Sequence, residues 1–396
     1  MNAPDSSAST DGVHVYVIAG EPSGDVIGAR LIEALQLTAG PGFRVSGVGG
    51  PEMEAAGLES LFPYDELAIM GLFEVLPSVP RLLRRMRRVA VDIERLKPDV
   101  IVTIDSPGFV FGAIRRLRSR ECPRVHYVAP TIWAWRAGRV RKFRKHFDHL
   151  LALFPFEPPL FDAAGLASTF VGHPVAEGDV DAGNGAAFRA RHGVAPDATM
   201  LCVLPGSRRG EVSRLLPVAR ETLARVMPEH RDVTLVIPAA ANVRALIEDT
   251  VSAWPWPVVV VDGAQERYDA FAAADLALAT SGTVTLELSW AGVPTIVMYR
   301  VPWLTGEIAR RMIRVRFASI VNIVADREVL PEFLQPRCRP ELIAAALGDL
   351  IADPKRRADI GGQACTISRN LEPGGERPSR RAARAVLDIV AAHRNR

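Results

Sequence analysis

The feature that most constrains this chain is an alternation. Short, continuous runs of apolar and β-branched residues are each followed by a stretch at helical spacing. Residues 13–19, 43–48, 99–104, 124–128 and 149–153 read as strands in the first half. A helix runs to about Leu37 after the turn at 20–25, and others span 78–96 and 109–117. Within 78–96, Leu82, Leu83, Met86, Val89, Ile93 and Leu96 recur near the helical period. Residues 200–204, 233–237, 258–261, 276–279 and 295–298 begin a second series of strands, again with helices between. A strand that is apolar on both faces must be covered on both faces, and a parallel sheet with helical crossovers does this. The predicted fold class is therefore α/β: two doubly wound, Rossmann-like lobes with a cleft between them.

Length agrees with two lobes, since 396 residues exceed what one core comfortably organises. The predicted boundaries are 1–177 and 186–370, with a Gly- and Asp-rich linker over 178–185 and an amphipathic helix in 371–396. A hydrophobic share of 48% with 23% charged residues is that of a folded globular protein. The net charge of +3 is too small to suggest bulk nucleic-acid binding. Cys122, Cys202, Cys338 and Cys365 are scattered, without a CxxC pair, so neither a disulfide framework nor a zinc site is expected, and a cytoplasmic setting fits. Residues 1–12 lack the pattern of a signal peptide, and no run of 18 apolar residues occurs. Any membrane contact should be peripheral.

Four motifs sit at strand ends, where open α/β sheets bind ligands. Gly20-Glu21-Pro22-Ser23-Gly24-Asp25 follows the first strand. Its glycines allow a tight turn and close approach of a ligand, with Glu21 and Ser23 as candidate contacts; a plain turn with Ser23 as helix N-cap is the other reading. In Thr103-Ile104-Asp105-Ser106-Pro107-Gly108-Phe109, Asp105 ends a buried strand and could take a proton from a hydroxyl, or could simply cap the next helix. Leu204-Pro205-Gly206-Ser207-Arg208-Arg209-Gly210-Glu211-Val212 has the parts of a diphosphate site: Gly206 for close approach, Ser207 as a hydrogen-bonding group, Arg208 as a bidentate clamp, and a helix start. Ala279-Thr280-Ser281-Gly282-Thr283 again leads into a helix start, with Glu287 one turn on, where a carboxylate could accept two ribose hydroxyls. The last two motifs together read as one donor-nucleotide site; taken singly, a solvated basic loop and a capped helix with a solvated glutamate are the other readings.

Two further stretches bear on partners. Trp133 and Trp135, in a loop after a strand, could pack on a sugar or an acyl chain, or be core. Arg81, Arg84, Arg85, Arg87 and Arg88 follow an apolar segment with Ile69, Met70, Leu72, Phe73, Val75 and Leu76, and a second basic run spans 136–145. A charge run is usually a solvated helix face, but beside apolar residues it suits an anionic membrane surface or a phosphorylated lipid. RNA is the competing partner, although no RNA-binding module is visible.

The ordered series GEPSGD, ELAIMGLFEVLP, TIDSPGF, HYVAPTIWAWRAGRV, LLALFPFE, VGHPV, LPGSRRGEV, ATSGTVTLELSWAGVPTIVMYR and NIVADREVLPEFLQ resembles the lipid-A-disaccharide synthases. The resemblance implies a GT-B glycosyltransferase whose first lobe faces acceptor and membrane and whose second binds the UDP-sugar. In two-lobed glycosyltransferases a C-terminal helix often crosses back to the first lobe, and here the helix in 371–396 could also exchange between the subunits of a homodimer. The resemblance further implies an inverting transfer from UDP-2,3-diacylglucosamine to 2,3-diacylglucosamine 1-phosphate, giving a β-1,6-linked disaccharide 1-phosphate and UDP, without a metal or other cofactor. On it, Asp105 looks like the general base and Arg208 the diphosphate arginine; Ser281, Gly282, Thr283 and Glu287 match the nucleotide-binding helix start. Asn322 matches an asparagine of the donor cleft. Pro22, Gly108, Thr131-Ile132 and Glu177 depart from the family's commoner residues without removing any of these groups. Two other readings stay open: a GT-B transferase for another lipid-linked acceptor, and a non-catalytic protein that binds nucleotide-sugars or lipids.

Overall fold

The computed structural model describes residues 12–64, 75–129, 140–302 and 316–395. The chain forms two compact units, Met1–Pro174 with Glu372–Arg396, and Val175–Leu371.

The first unit is built on a six-stranded parallel sheet, β1 (His14–Ala19), β2 (Arg44–Val48), β3 (Val100–Ile104), β4 (Arg124–Tyr127), β5 (His149–Ala152) and β6 (Ala167–Phe170), in the order β2-β1-β3-β4-β5-β6. Its helices are α1 (Pro22–Thr38), α2 (Pro51–Ala55), α3 (Val75–Leu96), α4 (Pro107–Ile114), α5 (Val140–Arg144) and α6 (Glu157–Asp162). β1 and β3 are buried along their whole length, as expected of central strands covered on both sides. Met86, Val89 and Ile93 of α3 pack with Val110 and Ile114 of α4 over one face, and Phe111, Phe143 and Phe147 meet edge-on or tilted beside them. Each such side chain removed from water contributes about 1.5–3 kcal/mol.

The second unit repeats the plan with β7 (Thr199–Leu204), β8 (Val233–Pro238), β9 (Val258–Val261), β10 (Leu276–Thr280), β11 (Thr295–Tyr299) and β12 (Glu332–Leu334), in the order β12-β11-β10-β7-β8-β9, all parallel. Its helices are α7 (Gly185–Arg191), α8 (Arg209–Val226), α9 (Arg244–Val251), α10 (Ala264–Ala273), α11 (Thr283–Trp290), α12 (Ile320–Ala325), α13 (Pro340–Ala352) and α14 (Pro354–Arg369). The last helix, Pro378–Arg394, belongs to the first unit and packs on α1. Ala382, Ala383, Val386 and Val390 form its buried stripe, and Arg394 bonds Asp99 at 2.7 Å.

Three sequence expectations are corrected. The stretch 178–185 is no free linker: Trp290 Nε1 donates to Asp181 at 3.0 Å, Arg369 clamps the same carboxylate, and a Cβ on Gly183 would lie 2.3 Å from the Tyr268 carbonyl oxygen. Helix α1 starts at Pro22 with Glu21 at the N-cap, so Ser23 is inside its first turn and caps nothing. Helix α4 starts at Pro107 with Ser106 at the N-cap, so Asp105 is not that helix's cap.

Candidate functional site

In each sheet the strand order reverses once, between β1 and β3 and between β7 and β10. At such a point the two crossovers leave in opposite directions and open a crevice at the strands' carboxyl ends. All four strand-end motifs lie at these two points.

In the first unit, Ala19 pairs with Ile104, so the loops that follow them run side by side. A Cβ on Gly20 would lie 2.4 Å from Ser106 Oγ, so glycine is what lets the loops meet. Asp105 and Ser106 both adopt left-handed backbone, with φ of 48° and 45°, which costs side-chain-bearing residues about 1–3 kcal/mol each. The Asp105 N–H donates to the Tyr127 carbonyl at 3.1 Å and fixes the turn. Glu21 and Ser23 are exposed at the start of α1. Asp25, by contrast, is buried and accepts from the N–H groups of Gly50, Glu52 and Met53 at 2.7, 3.0 and 3.2 Å. The motif's aspartate thus caps α2, a short helix the sequence reading did not find. Tyr64 lies over Gly50, and its hydroxyl is buried without a hydrogen-bond partner among the described residues. Burial, then the nearby carboxylates of Asp25, Glu21 and Asp105, push its ionisation well above the usual phenol range.

Met70, Leu72, Phe73, Trp133 and Trp135 lie outside the described residues. The described part of α3 leaves Arg81, Arg84, Arg87 and Arg88 exposed, together with Leu83 and Val91. No helix among the described residues is long and apolar enough to cross a membrane.

In the second unit, Ala279 pairs with Leu204, which sets the two remaining loops side by side. Gly206 has φ of 119°, and a Cβ there would lie 2.7 Å from the Glu211 side chain. Ser207 is exposed, and its carbonyl accepts from Asn242 Nδ2 at 2.9 Å, so a loop after β8 steadies the turn. Arg208, at the N-cap of α8, is exposed and reaches Glu211 at 3.1 Å. An exposed pair of this kind is weak, so the guanidinium is free to turn to an anion. Across the crevice Gly282 is the N-cap of α11 and Thr283 its first residue, both exposed. The first N–H groups of a helix have no partner within it and carry partial positive charge. The Ser281 hydroxyl donates to the Ala318 carbonyl at 2.9 Å. Glu287 is half-buried, and burial pushes its carboxyl up while Arg267, at 3.4 Å, pulls it down.

Asn322 is not presented as a ligand contact. Its side chain is fully buried; Oδ1 accepts from the N–H groups of Val329 and Leu330, and Nδ2 donates to the Leu330 carbonyl and to Glu332. These four bonds use the amide's whole hydrogen-bonding capacity. Glu332 in turn accepts from the N–H groups of Ala318 and Ser319, so the network holds the segment that receives the Ser281 hydroxyl. Asn322 therefore supports the wall of the crevice.

The first crevice presents carboxylates that can take or share a proton. The second presents N–H groups and an arginine that can neutralise a phosphate, with a carboxylate for hydroxyls. Sequence reasoning missed Tyr64, Asn242 and Arg267, which lie in no strand-end motif; only the Gly263 turn before Arg267 carried a local signal.

A family profile for lipid-A-disaccharide synthetase matches residues 15–386. The lipid-A-disaccharide synthase of Rhodospirillum centenum is 48% identical over 378 residues, covering 95% of this chain and 94% of that one. That of Paramagnetospirillum magneticum is 46% identical, covering 95% and 97%. Among solved structures, the UDP-GlcNAc 2-epimerase from Neisseria meningitidis bound to UDP-GlcNAc superposes with a TM-score of 0.59 at 13% identity, over 91% of this chain and 98% of that one, and shares the two-lobed α/β fold. With a profile match over nearly the whole chain and relatives this similar, the chain belongs to the lipid-A-disaccharide synthetase family and is a glycosyltransferase.

Proposed function

We propose that the chain transfers 2,3-diacylglucosamine from its UDP derivative to the 6-hydroxyl of 2,3-diacylglucosamine 1-phosphate. Asp105 carries the reading: it is an acidic residue held in left-handed backbone at the strand-order reversal of the first unit. Asp105 takes the acceptor hydroxyl's proton as the oxygen attacks the donor's anomeric carbon from the face opposite the diphosphate. The carbon–oxygen bond to UDP breaks, its electron pair leaves with UDP, and the configuration inverts. Arg208 and the N-terminal N–H groups of α11 meet the charge that develops on the leaving diphosphate. Ser207 and the Gly206 turn bring the backbone close to it, and Glu287 accepts the ribose hydroxyls. The acyl chains stay in a bilayer against which the exposed arginines, Leu83 and Val91 of α3 rest, their charge drawn to anionic lipid.

The test is turnover of UDP-2,3-diacylglucosamine with the 1-phosphate acceptor in anionic and in zwitterionic vesicles, for the wild type and Asp105→Asn. Disaccharide and UDP are expected, faster on anionic vesicles, with kcat about 10²–10⁴-fold lower in the variant. No product from folded wild type across several acyl lengths would move the assignment to another lipid-linked acceptor. Equal rates on both vesicles would remove the membrane contact.

A further inference from the structure

Arg267 stands in the first turn of α10, directly after Gly263, whose φ of 83° redirects the chain from β9. α10 crosses from the edge strand β9 to β10, and this brings Arg267 to Glu287 on α11. Its Nη2 lies 3.4 Å from Glu287 Oε1 and 3.2 Å from the Tyr268 hydroxyl. The guanidinium carbon sits 4.9 Å from the centroid of the Tyr268 ring, and Tyr268 is itself buried. Arg267 Nε is buried with no hydrogen-bond partner among the described residues. A buried, unsatisfied N–H costs stability, so packing alone gives this arginine little reason to sit here, whereas its contact with the Glu287 carboxylate offsets that cost. α10 is in turn pinned to α7, because Asp269 bonds Arg191 at 2.6 Å and the Asn184 N–H at 2.8 Å.

We infer that Arg267 is the positioning residue for Glu287: by engaging Oε1 it fixes the carboxylate's rotamer and leaves Oε2 for the ribose hydroxyls of a uridine nucleotide. The inference rests on the reading of Glu287 as the ribose contact. A carboxylate accepts hydroxyls best when ionised, and half-buried Glu287 has Arg267 as the cation that opposes its desolvation. Arg267 touches no reacting atom; it acts through Glu287.

Calorimetric titration of UDP and of 2′-deoxy-UDP into the wild type, Arg267→Ala and Arg267→Lys tests this. The wild type should prefer UDP by about tenfold or more, the worth of a charge-assisted hydrogen bond. In Arg267→Ala the UDP affinity should fall to near that of the deoxy analogue, whose own affinity stays within about twofold, while Arg267→Lys keeps part of the preference. Should the alanine variant fail to fold, Arg267→Lys and Arg267→Gln carry the comparison. A wild type that does not distinguish the nucleotides would overturn the ribose reading of Glu287. A wild-type preference retained in full by the variant, whether both affinities fall together or neither moves, would overturn the role of Arg267 alone.

Discussion

At the ends of β1 and β3 the first unit gathers Glu21, Asp25 and Asp105, while at the ends of β7 and β10 the second gathers Arg208 and the start of α11. Both crevices have the same origin, a reversal of strand order in a six-stranded parallel sheet; in the first, Gly20 lets the two motif loops meet, while in the second Gly206 lets its loop fold back on Glu211. Their chemistry is opposite. A cluster of carboxylates opposes a diphosphate and suits removal of a proton; a guanidinium with free N–H groups suits a leaving diphosphate. The geometry of the sheet supplies the place, and the loop residues supply the function.

The sharpest way to break this comparison is Arg208→Ala. Loss of one preorganised donor to the leaving group should lower kcat/KM by about 10²–10³-fold and weaken UDP binding, whereas Asp105→Asn should leave UDP affinity unchanged. If UDP affinity fell equally in both variants, the division of labour between the crevices would be wrong.

A smaller effect is expected from Asp25→Ala. It leaves three backbone N–H groups at the start of α2 without their acceptor and should destabilise the first unit by about 2–3 kcal/mol. Denaturant melts should show this loss while UDP binding persists. A parallel fall in UDP affinity would mean that the second crevice depends on the first.

Acidification should separate the units gradually, through two buried histidines of the first. His126 and His173 are buried in the first unit, and burial lowers their pKa from 6.5 to about 3 and about 4. Below 6.5 the unfolded chain takes up these protons while the folded unit refuses them, so stability falls with pH until the folded values are reached. The slope approaches about 1.4 kcal/mol per pH unit for each histidine. The second unit's His192 and His230 are only half-buried. Hydrogen exchange at pH 7 and pH 5 should show the first unit losing protection first, and equal loss in both would count against the account.

Much of the scaffold was legible in the sequence. β1, β3, β7 and β10 were read within one residue at each end because central strands must be apolar on both faces. β6 and β12 were missed: the first is a partly exposed Ala-Ser-Thr-Phe edge strand and the second only Glu332–Leu334, so neither carries a continuous apolar run. The motif loops were legible because glycine and small hydroxyl residues at strand ends have few other uses. Particular roles were not. Asp25 looked like part of a ligand loop, yet its partners lie 25 or more residues away. Asn322 looked like a donor contact, yet its amide is taken up by the segment at 329–332.

The sequence by itself determined that there would be two doubly wound sheets and which loops would end their central strands, because periodicity records the burial each element needs. Tertiary structure alone decided that Asp25 caps α2, that 178–185 is built into the second unit, and that Arg267 meets Glu287. Those pairings join residues on different elements, and their geometry comes from how helices cross a twisted sheet, which no local pattern encodes.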